Sequence, residues 1–217
     1  MQKAPTTLFD ECANMDPELL REVIRLANGA AYLIQPDMVE TNVSSLLNAL
    51  RSFYTNAFVA YSYKSNYHRA QIGAARRAGA LSEVVSSTEL DYARRLGVPH
   101  KEMILNGPGK SDTFLQAMMG SHITLIADSI SELERIASLR EAGVTMLARL
   151  GIRVAPHLSF QKRPSRFGVD MRHEQQLAAL RALVSEHGLP ISGIHLHLTE
   201  DRSLVSFMER LDFLVEA

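Results

Sequence analysis

The sequence contains a single cysteine and no long apolar run. One cysteine, Cys12, cannot form a disulfide within the chain. The first residues also lack the basic stretch and apolar run of a secretory signal, so a reducing cytoplasm is the expected location. Every apolar run is far shorter than the roughly 20 residues that a membrane-spanning helix needs. These absences argue against a secreted protein and against insertion into a membrane.

The chain also lacks an excess of charge of either sign. It has 23 Lys and Arg residues against 24 Asp and Glu residues, which leaves a formal charge of -1. This balance gives no reason to expect nucleic acid or an anionic membrane as a partner, and a small ligand is expected instead. With 217 residues, 46% of them hydrophobic, the chain is long enough for one globular domain with a buried core.

Short apolar runs alternate with longer amphipathic stretches from residue 57 onward. The runs are rich in Val, Ile, Leu and Ala, as expected for strands that are buried on both faces. Six such strands are predicted, over residues 57–63, 82–86, 102–105, 123–127, 146–154 and 191–198. The alternation is typical of repeated βα units and predicts an α/β fold with a parallel sheet.

Several helix starts are marked by capping residues. Pro36, Asp37 and Glu40 predict a helix that runs to about residue 51 and precedes the first strand. Ser129 and Glu132 form a capping-box pattern for a later helix. These signals place helices between the predicted strands.

The length of the chain sets a limit on its domain organisation. Residues 1–217 are interpreted as a single domain, in which residues 1–56 form an amino-terminal segment with a leading helix and residues 57–217 form six βα units. Residues 204–215 are predicted as the sixth helix. Because a closed (β/α)8 barrel usually takes about 250 residues, either the fold is not an eight-stranded barrel or two of its units are missing.

Lys64 lies at the carboxyl end of the first predicted strand, within Tyr61 to Asn66. Active sites of barrels and open α/β sheets assemble at this edge. A lysine there can lose its charge by desolvation and attack a carbonyl, which forms the imine that pyridoxal phosphate requires. Taken alone, the segment favours a solvated lysine at the end of a strand over a cofactor lysine.

The segment Tyr61 to Asn66 resembles the lysine motif of the ornithine, diaminopimelate and arginine decarboxylases. These are fold type III enzymes that depend on pyridoxal 5'-phosphate (PLP), with a barrel like that of alanine racemase. Further blocks resemble the family's blocks and follow its order, at residues 79–90, 106–110, 128–133, 152–154, 165–168 and 193–197. Seven blocks in the correct order over roughly residues 30 to 200 make chance a poor explanation.

The resemblance implies a (β/α)8 TIM-barrel type of PLP-binding domain, truncated here after about six βα units. It implies that Lys64 carries the cofactor as a Schiff base and that Glu83 lies near the imine. It also implies that Arg153 lies beneath the cofactor and that His197 stacks on its ring. Lys64, Glu83 and His197 are thereby expected to be catalytic, in the decarboxylation of a diamino or otherwise polar amino acid.

His195 and His197 must share one face of a strand, because strand side chains alternate. With Glu200 they suggest a zinc site, but a structural site needs a fourth ligand and a catalytic site needs an open water position. No metal is therefore expected. Stacking on the cofactor remains the better interpretation of His197, and a hydrogen-bonded core histidine that of His195.

After His197 the sequence departs from the family. The family continues with a small residue, glycine and serine, and this serine helps to bind the cofactor phosphate, whereas this chain continues with Leu198, Thr199 and Glu200. A carboxylate beside a phosphate is unfavourable. Thr199 and Ser203 are therefore the candidates for phosphate binding.

Two loops carry residues that suggest anion binding. Residues 107–111 are rich in glycine, but Ile104 stands where a P-loop needs a glycine, so the segment is interpreted as a strand-to-helix loop capped by Ser111 or Asp112. A second loop contains a basic cluster, which is either solvated or able to attract an anionic substrate or the cofactor phosphate: Lys162, Arg163 and Arg166.

Nothing in the sequence resembles the family's glycine-rich phosphate loop, its Glu-Pro-Gly segment or its carboxy-terminal β-domain. A sheet that ends after the sixth strand would have an unpaired edge, and such edges recruit other chains. We therefore expect a homodimer or other oligomer, a complementing carboxy-terminal chain, or an open rearranged sheet. A PLP-dependent racemase and a non-catalytic truncated paralogue that acts as a binding or assembly partner are the alternative functions.

Overall fold

The computed structural model describes residues 16–30, 32–198, 201 and 203–216, so Cys12 lies outside the described residues. The chain divides into two compact units, one that ends at Gln35 and one that begins at Pro36. In the first unit, helix α1 (Pro17–Leu26) is capped by Asp16, whose Oδ1 accepts a hydrogen bond from the backbone N of Glu18 at 2.9 Å. The interpretation of residues 1–217 as one domain stays a prediction.

The second unit alternates strands and helices, which confirms the α/β class. Its strands are β1 (Ala60–Ser62), β2 (Leu81–Val84), β3 (Met103–Leu105), β4 (Thr124–Ala127), β5 (Arg149–Ala155), β6 (Val169–Asp170) and β7 (Ile191–His195). Its α-helices are α2 (Pro36–Arg51), α3 (Arg69–Arg77), α4 (Ser87–Arg95), α5 (Asp112–Met119), α6 (Ile130–Glu141), α7 (Glu174–His187) and α8 (Leu204–Glu216). None of the helices within the described residues is long and apolar enough to span a membrane.

The seven strands form one parallel sheet, in the order β1-β2-β3-β4-β5-β6, and β7 also pairs with β5. Strand β6 meets only the carboxyl end of β5, at Val154 and Ala155, whereas β7 pairs with residues 150–153. Within the described residues, β1 pairs only with β2 and β7 only with β5. Because all strands are parallel, their carboxyl ends meet at one edge of the sheet.

The core lies between the sheet and the helices that cover it. Strand β4 is buried from Leu125 to Ala127, and β5 is buried from Leu150 to Ala155. The largest fully buried side chains are Tyr63, Ile72, Leu90, Met103, Leu105, Leu115, Met119, Ile123, Leu125, Leu133, Ile136 and Leu150. Each contributes about 1.5–3 kcal/mol by leaving water. This packing gives the central strands a firm position from which to present polar groups.

The predicted helix caps are confirmed. Ser111 Oγ accepts a hydrogen bond from the backbone N of Phe114 at 3.3 Å, and Ser129 Oγ accepts one from Glu132 N at 3.2 Å. The capping box is incomplete, however, because the Glu132 carboxylate accepts its bond from Asp128 N at 3.0 Å. The reason is that this carboxylate is drawn inward, where it also pairs with a buried lysine.

The predicted strands lie in the right places, but several of their bounds were wrong. The first was predicted over residues 57–63, whereas β1 spans only Ala60–Ser62. Glu102 was expected in the third strand and instead ends a 3-10 turn, His100–Glu102. Apolar runs report burial, which extends beyond the residues that pair in a ladder. Strand β6 was not predicted, because a strand of two residues after a polar loop is too short to show an alternating hydrophobic pattern.

Candidate active site

Polar side chains collect at the carboxyl edge of the sheet, and each of six neighbouring strands supplies at least one. They are Lys64 after β1, Glu83 on β2, Asn106 after β3, Asp128 after β4, Arg153 on β5, and His195 and His197 on and after β7. The register explains the grouping, since Ser62 pairs with Glu83 and Arg153 with His195 across neighbouring strands.

A cavity of about 700 Å³ opens at this edge. It is lined by Lys64, Asn106, Arg153, His195 and His197, together with residues of the loop 161–167. The structure thus brings together Lys64, Arg153 and His197, which the sequence nominated separately. Sequence reasoning treated His195 as a core histidine, and it too faces the cavity.

Lys64 and Glu83 face each other across the first two strands. Lys64 Nζ lies 3.9 Å from Glu83 Oε1, and the side chains are 37% and 17% exposed. Burial acts to raise the pKa of Glu83, but its polar neighbours Ser62 and Asn106 and the positive charge of Lys64 outweigh it and hold this pKa below its usual value. Glu83 is therefore ionised at neutral pH and favours positive charge on the nitrogen that it faces.

Asn106 connects Glu83 to His195, and sequence reasoning did not nominate it. Its Nδ2 donates to Glu83 Oε1 at 2.7 Å and lies 3.2 Å from His195 Nε2. The side chain is only 5% exposed. The available signal was its position directly after a strand, at the edge where site residues collect.

A glycine allows the loop that follows Asn106 to approach the neighbouring strand. A Cβ atom on Gly107 would lie 1.6 Å from the backbone O of Val85, so only glycine fits there. On the other side, Asn106 N donates to Val84 O at 3.1 Å. These two contacts hold the Asn106 side chain between Glu83 and His195.

His195 is neutral at pH 7. Burial, followed by the charge of Arg153, lowers the pKa of His195 from 6.5 to about 4. A neutral imidazole ring has one nitrogen that accepts and one that carries the proton. The Asn106 amide nitrogen gives one hydrogen to Glu83 and its other hydrogen to His195, so His195 Nε2 accepts and Nδ1 carries the proton. That Nδ1 is buried and has no partner among the described residues.

His197 lies just beyond β7 and also lines the cavity. Burial, followed by the charges of Lys64 and Arg153, lowers the pKa of His197. Its backbone O accepts a hydrogen bond from Arg153 Nη2 at 3.4 Å. The ring is therefore a neutral, half-buried surface on the wall of the cavity.

Arg153 is fixed from two sides. Its Nη1 donates to Asp128 Oδ1 at 2.8 Å, and both side chains are only 8% exposed. Its guanidinium also lies 4.9 Å from the centre of the Phe167 ring, which is a favourable cation–π distance. A buried arginine with these two contacts holds a positive charge at a defined position in the cavity.

A second buried ion pair supports the same edge from behind. Lys110 Nζ donates to Glu132 Oε1 at 2.7 Å and to the backbone O of Ile126 at 2.8 Å, with the Lys110 side chain 2% exposed. Burial lowers the pKa of Lys110, while Glu132 and Asp128 act to raise it. Through Glu132 and the Asp128 backbone, this pair ties the β3–α5 loop to the end of β4, which carries the partner of Arg153.

The cavity fits a polar, anionic aldehyde cofactor such as PLP. It combines the amine of Lys64, the guanidinium of Arg153 and the neutral ring of His197. Four buried atoms of residues that line the cavity have no hydrogen-bond partner among the described residues: Asn106 Oδ1, Arg153 Nε, Gln161 Nε2 and His195 Nδ1. Buried polar atoms are normally paired, so these unpaired atoms indicate a missing polar group.

The remaining predicted site residues do not join this group. Thr199 and Glu200 lie outside the described residues. Ser203 is exposed, its Oγ accepts a hydrogen bond from Ser206 N at 3.2 Å, and it does not line the cavity. Across the part of the chain that the structure describes, no group of three or more His, Cys, Asp or Glu side chains is arranged to hold a metal ion.

The sequence of the chain is similar to those of known proteins. Residues 40–211 match the family described as the pyridoxal-binding domain of pyridoxal-dependent decarboxylases. The chain is 26% identical over 206 residues to diaminopimelate decarboxylase of Methanocaldococcus jannaschii, covering 85% of this chain and 46% of that protein. It is 29% identical to L-glutamyl-[BtrI acyl-carrier protein] decarboxylase of Niallia circulans, covering 94% of this chain and 48% of that protein.

Solved structures show the same fold. The crystal structure of the M. jannaschii diaminopimelate decarboxylase in complex with L-lysine aligns with a TM-score of 0.68 at 24% identity, over 82% of this chain and 45% of that one. Arginine decarboxylase of Paramecium bursaria Chlorella virus aligns with a TM-score of 0.70 at 16% identity, over 92% of this chain and 52% of that one. The chain thus spans about half the length of these relatives.

Proposed function

Since this chain belongs to the family of pyridoxal-binding domains of pyridoxal-dependent decarboxylases, with PLP as cofactor, we propose that it contributes to the decarboxylation of an amino acid. The observation that carries the proposal is the position of Lys64, whose amine lies at the carboxyl edge opposite the Glu83 carboxylate at 3.9 Å. Arg153 lines the same cavity as Lys64.

In this proposal Lys64 would hold the cofactor through Nζ, which would replace the aldehyde oxygen, and that oxygen would leave as water. A nucleophilic lysine must present an unprotonated nitrogen during attack and carry a proton afterwards. The ionised Glu83 carboxylate favours that proton on the nitrogen it faces. Asn106 holds Glu83 in place through a 2.7 Å hydrogen bond, so the carboxylate does not turn away from Lys64.

Arg153 and His197 are proposed to orient the cofactor, with Arg153 beneath it and the His197 ring stacked on it. The Asp128 pair keeps Arg153 from turning to solvent, because a buried guanidinium without its partner would be strongly destabilised. His197, with its lowered pKa, presents an uncharged ring face that excludes water. Thr199 stays a predicted donor to the cofactor phosphate, whereas Ser203 is exposed and does not line the cavity.

Bound PLP supplies an electron sink for the electron pair that remains on the α-carbon when carbon dioxide leaves. The contribution of this chain is to hold the reacting nitrogen, to place positive charge at Arg153 and to shield one side of the cavity. The residues that bind the substrate would come in part from a region that corresponds to the half of the relatives that this chain does not match.

We also propose that the sheet is completed by another polypeptide, in a homodimer or with a complementing carboxy-terminal chain. Strands β1 and β7 each pair on one side only within the described residues, and unpaired strand edges recruit other strands. Native mass spectrometry of the purified chain tests this. A strictly monomeric species at micromolar concentration, with no binding to a matching carboxy-terminal half, would refute the proposal.

The visible spectrum of the protein mixed with PLP tests the function. An absorption band from an imine is expected in the wild type, absent in Lys64→Ala, and retained in Lys101→Ala, in which an exposed lysine is removed. Carbon dioxide release from a panel of amino acids then distinguishes decarboxylation from racemisation, which would cause loss of optical rotation without carbon dioxide. A band that persists in Lys64→Ala would contradict the assignment.

A further inference from the structure

Lys110 is a buried charged residue that the proposed chemistry does not use. It lies on the loop between β3 and α5, its side chain is only 2% exposed, and it does not line the cavity. Burial lowers the pKa of Lys110, because its charged form loses contact with water. A buried ion pair such as Lys110–Glu132 is often no more stabilising than apolar side chains of similar size, so stability alone does not account for it.

Lys110 holds the carboxyl end of β4 at two points. Its Nζ donates directly to the backbone O of Ile126 at 2.8 Å. It also donates to Glu132 Oε1 at 2.7 Å, and the other oxygen of that carboxylate accepts a hydrogen bond from Asp128 N at 3.0 Å. One ammonium group therefore fixes the backbone on both sides of Ala127, the last residue of β4.

Asp128 is the residue that these contacts fix. Its N is held by Glu132, and its backbone O accepts a hydrogen bond from Gly168 N at 3.0 Å. Its Oδ1 accepts from Arg153 Nη1 at 2.8 Å. Because the backbone of Asp128 is bound on both sides, the direction of its carboxylate does not depend on Arg153 alone. The carboxylate can therefore set the position of the guanidinium.

The position of the Arg153 guanidinium decides which of its donors stays available to a ligand. Nη1 is bound to Asp128, and Nη2 donates to the backbone O of His197 at 3.4 Å. The Nε atom is buried and has no hydrogen-bond partner among the described residues. Because the guanidinium is a rigid plane whose donors keep fixed angles, a group that holds Nη1 also sets the direction of the Nε–H bond.

We propose that Lys110 and Glu132 are positioning residues for Arg153, and that they act through the backbone and the carboxylate of Asp128. They keep Arg153 in the orientation that leaves its Nε–H available to the anionic cofactor. This rests on the proposed function and extends it to two residues that do not line the cavity. Residues that act on a ligand through a bound neighbour in this way change its affinity without touching it.

The test removes the contact with Asp128 without leaving a buried charge alone. The leucine variant, Lys110→Met/Glu132→Leu, replaces both charged partners by apolar side chains, which is tolerated better than the loss of one partner. Its match is the glutamine variant, Lys110→Met/Glu132→Gln, whose amide oxygen can still accept from Asp128 N. Leu90→Ala, at a buried leucine of α4, which packs on β2, is the control for loss of stability alone. If the leucine variant does not fold, Glu132→Asp replaces it, because that carboxylate is one methylene too short to reach both partners.

The first measurement uses the full chain without cofactor and follows the guanidinium signals of Arg153 by NMR, assigned by their absence from Arg153→Lys. In the wild type, the charge-assisted bond to Asp128 should slow rotation of the guanidinium and give separate Nη signals. The glutamine variant and Leu90→Ala should keep separate signals, whereas the signals should merge in the leucine variant. Separate signals in the leucine variant, or merged signals in the wild type or in Leu90→Ala, would overturn the proposal.

The second measurement determines the dissociation constant of PLP from the absorption band that depends on Lys64. This constant should rise about tenfold in the leucine variant and stay within about twofold of the wild type in the glutamine variant. In an Arg153→Lys background the leucine variant should lose no further affinity, because its effect passes through Arg153. An equal loss in that background would show that Lys110 and Glu132 act by another route and would refute the proposal. A wild type without any Lys64-dependent band would refute the proposed function, and the guanidinium signals alone would then support or overturn the positioning of Arg153.

Discussion

Strands β4 and β5 differ sharply from β7, although all three belong to one parallel sheet. Strand β5 is buried from Leu150 onward, whereas the three middle residues of β7 are exposed, including Ile194 at 42%. The covering helices follow the same trend, since α6 buries four residues and α8 buries only Ser206. The difference shows that the site residues lie partly on tightly packed strands and partly on β7, which is exposed.

The packed region carries most of the proposed chemistry. This region, strands β2 to β5 with the loops that follow them, supplies Glu83, Asn106 and Arg153 and contains both buried ion pairs. Lys64 follows the edge strand β1 and faces Glu83. The β7 region supplies His195 and His197 and leaves apolar side chains of α8 exposed, such as Val205 at 77% and Phe207 at 52%. We therefore expect changes in the packed region to cost far more stability than changes around β7.

The largest effect is expected from Lys110→Ala. The substitution leaves Glu132 buried and without its cation, so the free energy of unfolding should fall by about 3–5 kcal/mol. Urea unfolding measures the change, with Lys101→Ala as an exposed control that should stay within about 0.5 kcal/mol of the wild type. If the two variants unfold alike, the Lys110–Glu132 pair does not support the packed region.

The direct comparison of the two strands pairs Leu125→Ala with Ile194→Ala. Leu125 on β4 is 0% exposed and Ile194 on β7 is 42% exposed. Removal of the buried side chain should cost about 3 kcal/mol and removal of the exposed one less than about 1 kcal/mol, measured by the same unfolding experiment. Similar losses would mean that β7 is covered in solution, as expected if another chain packs on it.

The pH dependence of stability reports whether β7 stays paired with β5. The folded pKa of His195 is about 4, below its unfolded value of about 6.5. Between these values the unfolded chain binds more protons, so the free energy of unfolding falls as the pH falls from about 6.5 to about 4, by up to about 2 kcal/mol for this partly buried ring.

His195→Gln should flatten this dependence, whereas His122→Gln, which changes an exposed histidine, should leave it unchanged. His197, whose pKa is also lowered, contributes in the same direction in every variant. Titration of the His195 ring by NMR near 6.5 would show that β7 separates from β5 in solution.

A small effect on stability is expected from Asn106→Ala, which removes the side chain that links Glu83 to His195. The loss of the hydrogen bond to Glu83 should raise the pKa of that carboxyl and cost about 1 kcal/mol of stability. A carboxyl titration by NMR measures the pKa, with Asn48→Ala on the exposed side of α2 as control. An unchanged Glu83 pKa would show that Asn106 does not hold this carboxylate.

Much of the fold was predictable from local pattern. The apolar runs placed six strands, and Ser111 and Ser129 were correctly predicted as caps, because periodicity and capping depend on residues a few positions apart. The position of Lys64 at the end of a strand was also predictable. The bounds of β1 and the existence of β6 were not predictable, because pairing at the end of a strand depends on which backbone groups of the neighbouring strand lie within hydrogen-bonding distance.

The sequence by itself determined the α/β order, the family resemblance and the residue types at the sheet edge. The tertiary structure alone decided which charges meet. Lys110 lies 22 residues from Glu132 and Asp128 lies 25 residues from Arg153, and no spacing along the chain encodes such contacts. They form because parallel strands bring their carboxyl ends to one edge, where burial requires each charge to have a partner.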